Sequence, residues 1–146
     1  MEKYILLDID GVITSESHSR KCYREHAREN LYGMDWFDPE CLAALRTIVE
    51  TTGAKIVVSS SWRELRIKQL IRLWELIPMP GELAGTTPVW ILSKIEAIEQ
   101  WIQQHPNKRY VILDDAELGL ANQVRTDPHT GLSEEDAEKA IRILND

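Results

Sequence analysis

Hydrophobic and polar positions alternate in blocks along this chain, and the blocks predict strands and helices in turn. Short apolar runs that end at acids, serines or glycine are typical of buried parallel strands, and three are present: Tyr4–Leu7, Ala54–Val58 and Tyr110–Leu113. A shorter fourth strand is predicted near 123–126. Strands that alternate with helices imply right-handed crossovers. We therefore expect an α/β protein with a mostly parallel sheet and helices on both faces.

Four helices are predicted from apolar residues at helical spacing and from residues that favour helix starts. They begin at Asp38–Pro39, near residue 62, at Ser93 and at the capping-box sequence Ser133–Asp136. Gly53 and Pro106 mark the ends of the first and third. The polar segment 14–37 is interpreted as a long loop with one short helix.

Length and charge bound the class of protein. The chain has 146 residues, which predicts a single domain over 1–146, and its formal net charge is −7. This charge argues against wrapping duplex DNA by general electrostatics, but it allows a local basic groove. No apolar run approaches the ~20 residues of a spanning helix, and no signal-peptide pattern is seen. Two cysteines make no disulfide framework, so we expect a cytoplasmic protein with reduced thiols and no membrane partner.

Candidate chemistry lies where the predicted strands end, which is where α/β sheets bind ligands. Three strands end in polar pairs: Asp8 and Asp10, Ser59 and Ser60, Asp114 and Asp115. Carboxylates brought together repel one another unless a cation lies among them. Oxygen-only ligands select a hard ion such as Mg²⁺, which in proteins typically binds one or two carboxylates together with waters and substrate phosphate.

Each piece taken alone has an ordinary structural explanation. Asp8–Gly11 could form a turn, Ser59–Ser61 could cap the following helix, and Lys94 could be a solvated lysine. Asp8–Gly11 is not the start of an EF-hand loop, because Gly11 comes too early and the glutamate at loop position 12 is missing. The chemical signal is the order of the pieces along the chain.

That order resembles the haloacid dehalogenase-like (HAD) phosphohydrolases. Leu6–Val12 is similar to their first motif, hydrophobic-Asp-x-Asp-Gly-Val, and Ile56–Ser60 to their second, a strand ending in Ser or Thr. Lys94 at a helix start resembles the third motif, and Val111–Asp115 the fourth, an acidic pair after a strand. A response-regulator receiver domain is a similar α/β sandwich, but it would show a lone Asp, then Ser or Thr, then Lys, each after a successive strand. In this chain the serines precede Lys94 and an acidic pair follows it, so the order argues against a receiver domain.

Two further segments resemble a small-capped branch of that family, the HAD domain of Swiss-army-knife RNA-repair proteins. They are Ser59–Arg63 and the tail that runs from Thr126–Asp127 to Gly131–Leu132. The resemblance to the ordered HAD motifs covers residues 4 to about 120. It implies a Rossmann-like three-layer sandwich with a minimal cap.

The resemblance implies catalytic roles for matching residues. Asp8 would attack phosphorus and form an aspartyl-phosphate, while Asp10 would protonate the leaving group and then activate water. Lys94 would neutralise phosphate charge. Ser59 would hydrogen-bond a phosphate oxygen, with Ser60 as the alternative in this run of serines. Family members with an Asp at the position of Asp10 are mostly phosphatases and phosphotransferases, whereas dehalogenases lack it.

The resemblance also implies the metal ligands. Asp8, the backbone carbonyl of Asp10, and Asp114 would hold Mg²⁺. Asp115 would orient metal waters or Lys94 from the next layer of contacts.

The sequence constrains the substrate less tightly. The stretch between Val12 and Asp38 is too short for a large cap, and an open site suits a polymeric substrate such as a nucleic-acid end. Basic residues that could contact a phosphodiester backbone are Arg20, Lys21, Arg24, Arg28 and Arg63; aromatic residues that could stack on bases are Tyr23, Tyr32 and Trp36. Acidic residues are interleaved with them, so a solvated loop explains residues 14–37 equally well.

Two classes of function therefore stay open. The leading one is a Mg²⁺-dependent phosphomonoesterase acting on nucleic-acid 3′-phosphates, with nucleotides or small phosphate esters as the alternative substrates. The other is a non-catalytic binding module that keeps the fold. The sequence makes no prediction of the oligomeric state.

Overall fold

Five strands form a single sheet in the computed structural model, which describes residues 1–25, 37–59, 64–76, 79–88 and 93–146. They are β1 (Lys3–Leu7), β2 (Lys55–Val58), β3 (Leu83–Thr86), β4 (Arg109–Asp114) and β5 (Gln123–Arg125). The strand order is β3-β2-β1-β4-β5, and every neighbouring pair is parallel. The predicted parallel α/β sheet is confirmed.

The helices are α1 (Glu16–Glu25), α2 (Pro39–Thr52), α3 (Glu64–Leu76), α4 (Lys94–Gln104) and α5 (Glu134–Asn145). Their ends follow the local sequence. Asp38 caps α2 by accepting from the Glu40 N–H, and Gly53 ends that helix in the left-handed conformation. Ser93 caps α4, and Ser133 forms the predicted capping box with Asp136.

Alternate residues of β1 point to opposite faces of the sheet, so the core has two parts. Ile5 and Leu7 lie in the larger cluster with α2 and α5, which includes Leu45 and Leu144. Leu6 lies in the smaller cluster, with Ile98 and Trp101 of α4. Helices therefore cover both faces, as predicted.

One element differs from the sequence prediction. β3 is an edge strand that no pattern predicted. It pairs with β2 through Ile56 and Leu83, then shifts register before Val57 pairs with Gly85. The short helix predicted within 14–37 is α1; residues 26–36 of that segment lie outside the described structure.

The strand order places the site. From β1 the chain moves to β2 and β3 on one side, and then crosses to β4 and β5 on the other. The direction of winding thus reverses between β1 and β4, and the crevice above such a switch point is where ligands bind in α/β sheets. Within the described residues, no helix is long and apolar enough to cross a membrane.

Candidate active site

The carboxyl ends of three adjacent strands meet at this crevice. Leu7 of β1 pairs with Val58 on one side and with Leu113 on the other. The ladder continues one residue further, since the Asp8 N–H donates to the Leu113 carbonyl and the Ser59 N–H donates to the Leu7 carbonyl. The backbone therefore brings Asp8, Ser59 and Asp114 to one edge of the sheet, as the sequence predicted.

Lys94 joins this edge from the first turn of α4. Its Nζ lies 2.7 Å from Asp114 Oδ2 and 3.2 Å from Asp8 Oδ1. Both carboxylates are buried, at 0% and 5% residue exposure. A solvated lysine would not hold two buried carboxylates, so the ordinary surface explanation for Lys94 is excluded.

Burial and charge perturb these groups strongly. Desolvation, reinforced by the neighbouring Asp114 and only partly offset by Lys94, raises the pKa of Asp8 to about 7. Burial alone would lower the pKa of Lys94, but the two carboxylates outweigh it and the pKa is raised. Perturbed groups of opposite sign in a crevice are a frequent mark of an active site.

Asp115 completes an acidic cluster beside Gly11. One carboxylate oxygen from each of Asp8, Asp114 and Asp115 lies within 4.8 Å of the others. Burial, followed by repulsion from Asp114, raises the pKa of Asp115. Gly11 has φ +82°, a conformation that favours glycine, and a Cβ there would force the Asp115 carboxylate to move.

This cluster fits the predicted magnesium ion by its chemistry. Its donors are all carboxylate oxygens, the ligands that hard cations prefer. Asp8, Asp114 and Asp115 are thus the side chains that could hold the metal. The role of the Asp10 carbonyl stays a prediction.

Asp10 lies in the turn that follows Asp8. Its side chain is exposed, and Oδ1 accepts a hydrogen bond of 3.4 Å from the Thr14 hydroxyl. The same hydroxyl accepts from the Gly11 N–H at 3.2 Å. Asp10 thus stands at the rim of the cluster while Asp8 is buried in it. Two carboxylates two residues apart therefore occupy different environments, which suits different roles.

Ser59 is buried on the other side of Asp8, with 1% of its surface exposed. Among the described residues its Oγ has no hydrogen-bond partner. A buried hydroxyl without a partner costs about 1–3 kcal/mol. Such a hydroxyl, one strand from Asp8, is available to an incoming oxygen.

Other predicted site residues are described only in part. Arg20 is exposed on α1, and Arg24 lies in α1 with its side chain outside the description. Ser60 and Arg63 fall outside the described residues, so the structure gives no test of them.

Two threonines were not assigned a role from sequence. Thr87, 3% exposed, follows β3 at the same edge, and Thr126, 2% exposed, follows β5. Both come directly after a strand, as the predicted residues do. Thr126 was also part of the tail that resembles the small-capped branch, and this was the signal that could have identified it.

Comparisons with known proteins show the family and the fold of the chain. The family model described as the HAD domain in Swiss Army Knife RNA repair proteins matches residues 4–137. The chain belongs to this family. The HAD assignment decides against a receiver domain and indicates a hydrolase of the phosphohydrolase type.

One solved HAD domain has the same fold. It is the HAD domain of effector protein Lem4 from Legionella pneumophila, with a TM-score of 0.54 and 16% sequence identity over 99% of this chain and 94% of that one. At this identity the likeness shows the fold alone. No curated protein matches this HAD domain.

Proposed function

We propose that this HAD domain is a Mg²⁺-dependent phosphomonoesterase that acts through an aspartyl-phosphate on Asp8. The observation that carries the proposal is the contact of Lys94 with both Asp8 and Asp114, beside Asp115. A phosphate dianion entering this crevice would meet a nucleophile, a fixed cation and three oxygen ligands for a metal.

In the first step an Asp8 carboxylate oxygen forms a bond to phosphorus as the ester P–O bond breaks. Asp10 gives its proton to the leaving oxygen. The negative charge of the phosphate would repel a carboxylate nucleophile, and Lys94 offsets that charge. Bound Mg²⁺ would supply further charge neutralisation between Asp8, Asp114 and Asp115.

In the second step water attacks the phosphorus of the acyl phosphate. Asp10, now ionised, takes the proton of this water, and the bond between phosphorus and the Asp8 oxygen breaks. Inorganic phosphate leaves, Asp8 is a carboxylate again, and Asp10 is protonated for the next turnover. The buried Ser59 hydroxyl would donate to a phosphate oxygen in both steps.

We further propose that the substrate is a 3′-phosphate at a nucleic-acid end. The description of the family model supports this, because it names RNA repair proteins. The position of α1 also supports it: this helix begins two residues after Thr14, the partner of Asp10, and carries the exposed Arg20 and Lys21. Such residues could contact the phosphodiester backbone next to the end.

The test measures phosphate release by the wild-type chain, by Asp8→Asn and by Glu99→Gln, with Mg²⁺ or with EDTA. Glu99 is an exposed carboxylate on α4, so its variant controls for loss of one charge. Substrates are p-nitrophenyl phosphate, a nucleotide panel, and DNA and RNA oligonucleotides with 3′- or 5′-phosphates. We expect Mg²⁺-dependent turnover by wild type and Glu99→Gln, none by Asp8→Asn, and a preference for the 3′-phosphorylated oligonucleotide.

The alternatives give different results. Turnover of only nucleotides or small esters would keep the phosphatase and reject the nucleic-acid substrate. Activity that survives in Asp8→Asn would reject the covalent mechanism. No turnover of any ester, together with Mg²⁺ binding by calorimetry, would favour a binding module.

A further inference from the structure

Thr126 connects two parts of the site that come from distant parts of the chain. Its side chain is buried at the end of β5, and its hydroxyl donates a 2.7 Å hydrogen bond to the Gly11 carbonyl. Its backbone N–H donates to the Asp114 carbonyl at 3.0 Å. One residue is therefore bonded both to the turn that carries Asp10 and to the acidic end of β4.

The turn after Thr126 continues this contact along the same loop. The Leu132 N–H donates to the Val12 carbonyl at 2.8 Å, and the Glu16 N–H donates to the Pro128 carbonyl at 3.0 Å. Gly131 has φ +70°, and a Cβ there would lie 2.5 Å from Cys41 Sγ and 2.9 Å from the Val12 oxygen. The segment 126–132 thus packs directly on the backbone of residues 11–16.

Gly11 links these contacts to Asp10. Asp115 lies against one side of Gly11, and the Thr126 hydroxyl holds its carbonyl. The Gly11 N–H donates to Thr14 Oγ1, the atom that in turn donates to the Asp10 carboxylate. The two peptide groups that flank the Gly11 Cα make these two contacts, so a change in the backbone conformation of Gly11 would change the position of Asp10.

We infer that Thr126 is a positioning residue for Asp10, on which it acts through the backbone of Gly11. The inference rests on the proposed function, in which Asp10 transfers the proton to the leaving group. Thr126 makes no contact with the reacting atoms in this scheme. Its hydroxyl matters because valine has the same shape but would remove a donor from a buried carbonyl.

The kinetic test compares Thr126→Val with Thr126→Ser on two esters. An alkyl phosphate has a strongly basic leaving group that requires protonation, whereas p-nitrophenolate leaves with little help from an acid. Displacement of a catalytic group by a fraction of an ångström lowers the rate of the step that it assists. We therefore expect kcat/KM of Thr126→Val to fall at least about tenfold for the alkyl ester. For the aryl ester the fall should be less than about threefold. Thr126→Ser keeps the hydroxyl and should resemble wild type on both esters.

Amide hydrogen exchange tests the contact without turnover. In Thr126→Val the amides of Gly11 and Thr14 should exchange at least about tenfold faster than in wild type, because the loop opens more readily. In Thr126→Ser their protection should be retained.

The outcomes separate the two proposals. Equal losses on both esters, a Ser variant as impaired as the Val variant, or unchanged protection of Gly11 and Thr14 would overturn the role of Thr126. If the wild-type chain hydrolyses no ester, the proposed function fails. The exchange rates then decide alone whether Thr126 holds the loop.

Discussion

At the scale of single residues, the charges of the acidic cluster are not balanced. Asp8, Asp114 and Asp115 contribute three carboxylates within 4.8 Å, and Lys94 is the cation that contacts two of them. Repulsion between buried carboxylates lowers the stability of the folded state when no metal is present. The arrangement favours ligand binding over stability, which is common at functional sites.

Asp8→Asn should therefore stabilise the metal-free chain. In EDTA at pH 8 we expect its free energy of unfolding to exceed that of wild type by about 1–2 kcal/mol, because one repelling charge is removed. Urea unfolding of both proteins measures this difference. Added Mg²⁺ should reduce it, since wild type binds the ion with one more carboxylate.

Two variants control this experiment. Glu99→Gln removes an exposed carboxylate on α4 and should leave stability within about 0.5 kcal/mol of wild type. Lys94→Met removes the cation and should destabilise the chain, the opposite sign from Asp8→Asn. A loss of stability in Asp8→Asn would show that its ion pair with Lys94 outweighs the repulsion.

Cys41 permits a pH-dependent prediction away from the site. Burial, reinforced by the neighbouring Asp38, raises the pKa of its thiol to about 12. In Cys22→Ser, whose remaining thiol is Cys41, labelling by a thiolate-selective reagent should stay slow from pH 7 to 10 and become fast in denaturant. Because the folded pKa is above the unfolded value of about 8.5, the contribution of Cys41 to stability is complete below pH 8.5. It is lost as the pH rises towards 12. Rapid labelling of the folded Cys22→Ser variant at pH 8 would contradict the raised pKa of the Cys41 thiol.

At the scale of secondary structure, the sequence predicted the elements whose own residues determine them. Strands β1, β2 and β4 each contain a continuous apolar run, and α2, α4 and α5 carry their caps in the sequence. β3 could not be predicted in this way. Its residues Leu83–Thr86 contain one large apolar side chain and a glycine, and they become a strand because β2 offers a free edge.

The same distinction applies to the site. Asp8, Ser59 and Asp114 were found because each directly follows or ends a predicted strand, and parallel strands bring such positions together. The role of Thr126 depends on a hydrogen bond to Gly11, 115 positions away in sequence. No local pattern encodes such a contact, so it becomes visible only in the folded chain.

The turn after β1 gives a prediction at this scale. Gly11 and Gly119 both have positive φ, but only Gly11 has a side chain in the space that a Cβ would occupy. Gly119→Ala should cost about 1 kcal/mol of stability for its backbone conformation alone. Gly11→Ala should cost at least about 1 kcal/mol more, because the Asp115 carboxylate must also move. Urea unfolding compares the two variants.

Mg²⁺ affinity, measured by calorimetry, should follow the same order. Gly11→Ala should weaken binding, since it displaces a member of the acidic cluster, whereas Gly119→Ala should bind as wild type does. Equal stability and equal affinity in the two variants would show that Asp115 has room to move without consequence.

At the scale of the whole molecule, the net charge opposes the proposed substrate. The chain carries −7 at neutral pH, so its net charge repels a nucleic acid. Attraction therefore has to come from a local basic patch. Among the described residues, the exposed Arg20 and Lys21 of α1 form such a patch, and α1 begins beside the turn that carries Asp10. An oligonucleotide substrate would then contact few backbone phosphates, and its affinity would depend weakly on salt.

Salt dependence of KM therefore tests the placement of the substrate. With two backbone contacts to a single strand, KM for a 3′-phosphorylated oligonucleotide should rise with salt with a log–log slope of about 1.4. For p-nitrophenyl phosphate, which has no phosphodiester backbone, the slope should be clearly smaller. The double variant Arg20→Gln/Lys21→Gln removes both contacts, so it should lower the oligonucleotide slope by about 1.4 and leave kcat for the small ester unchanged. Lys139→Gln/Arg142→Gln removes two exposed cations of α5 and serves as the matched control. If the control lowers the slope as much as the α1 variant does, the oligonucleotide responds to overall charge, and α1 is not its binding surface.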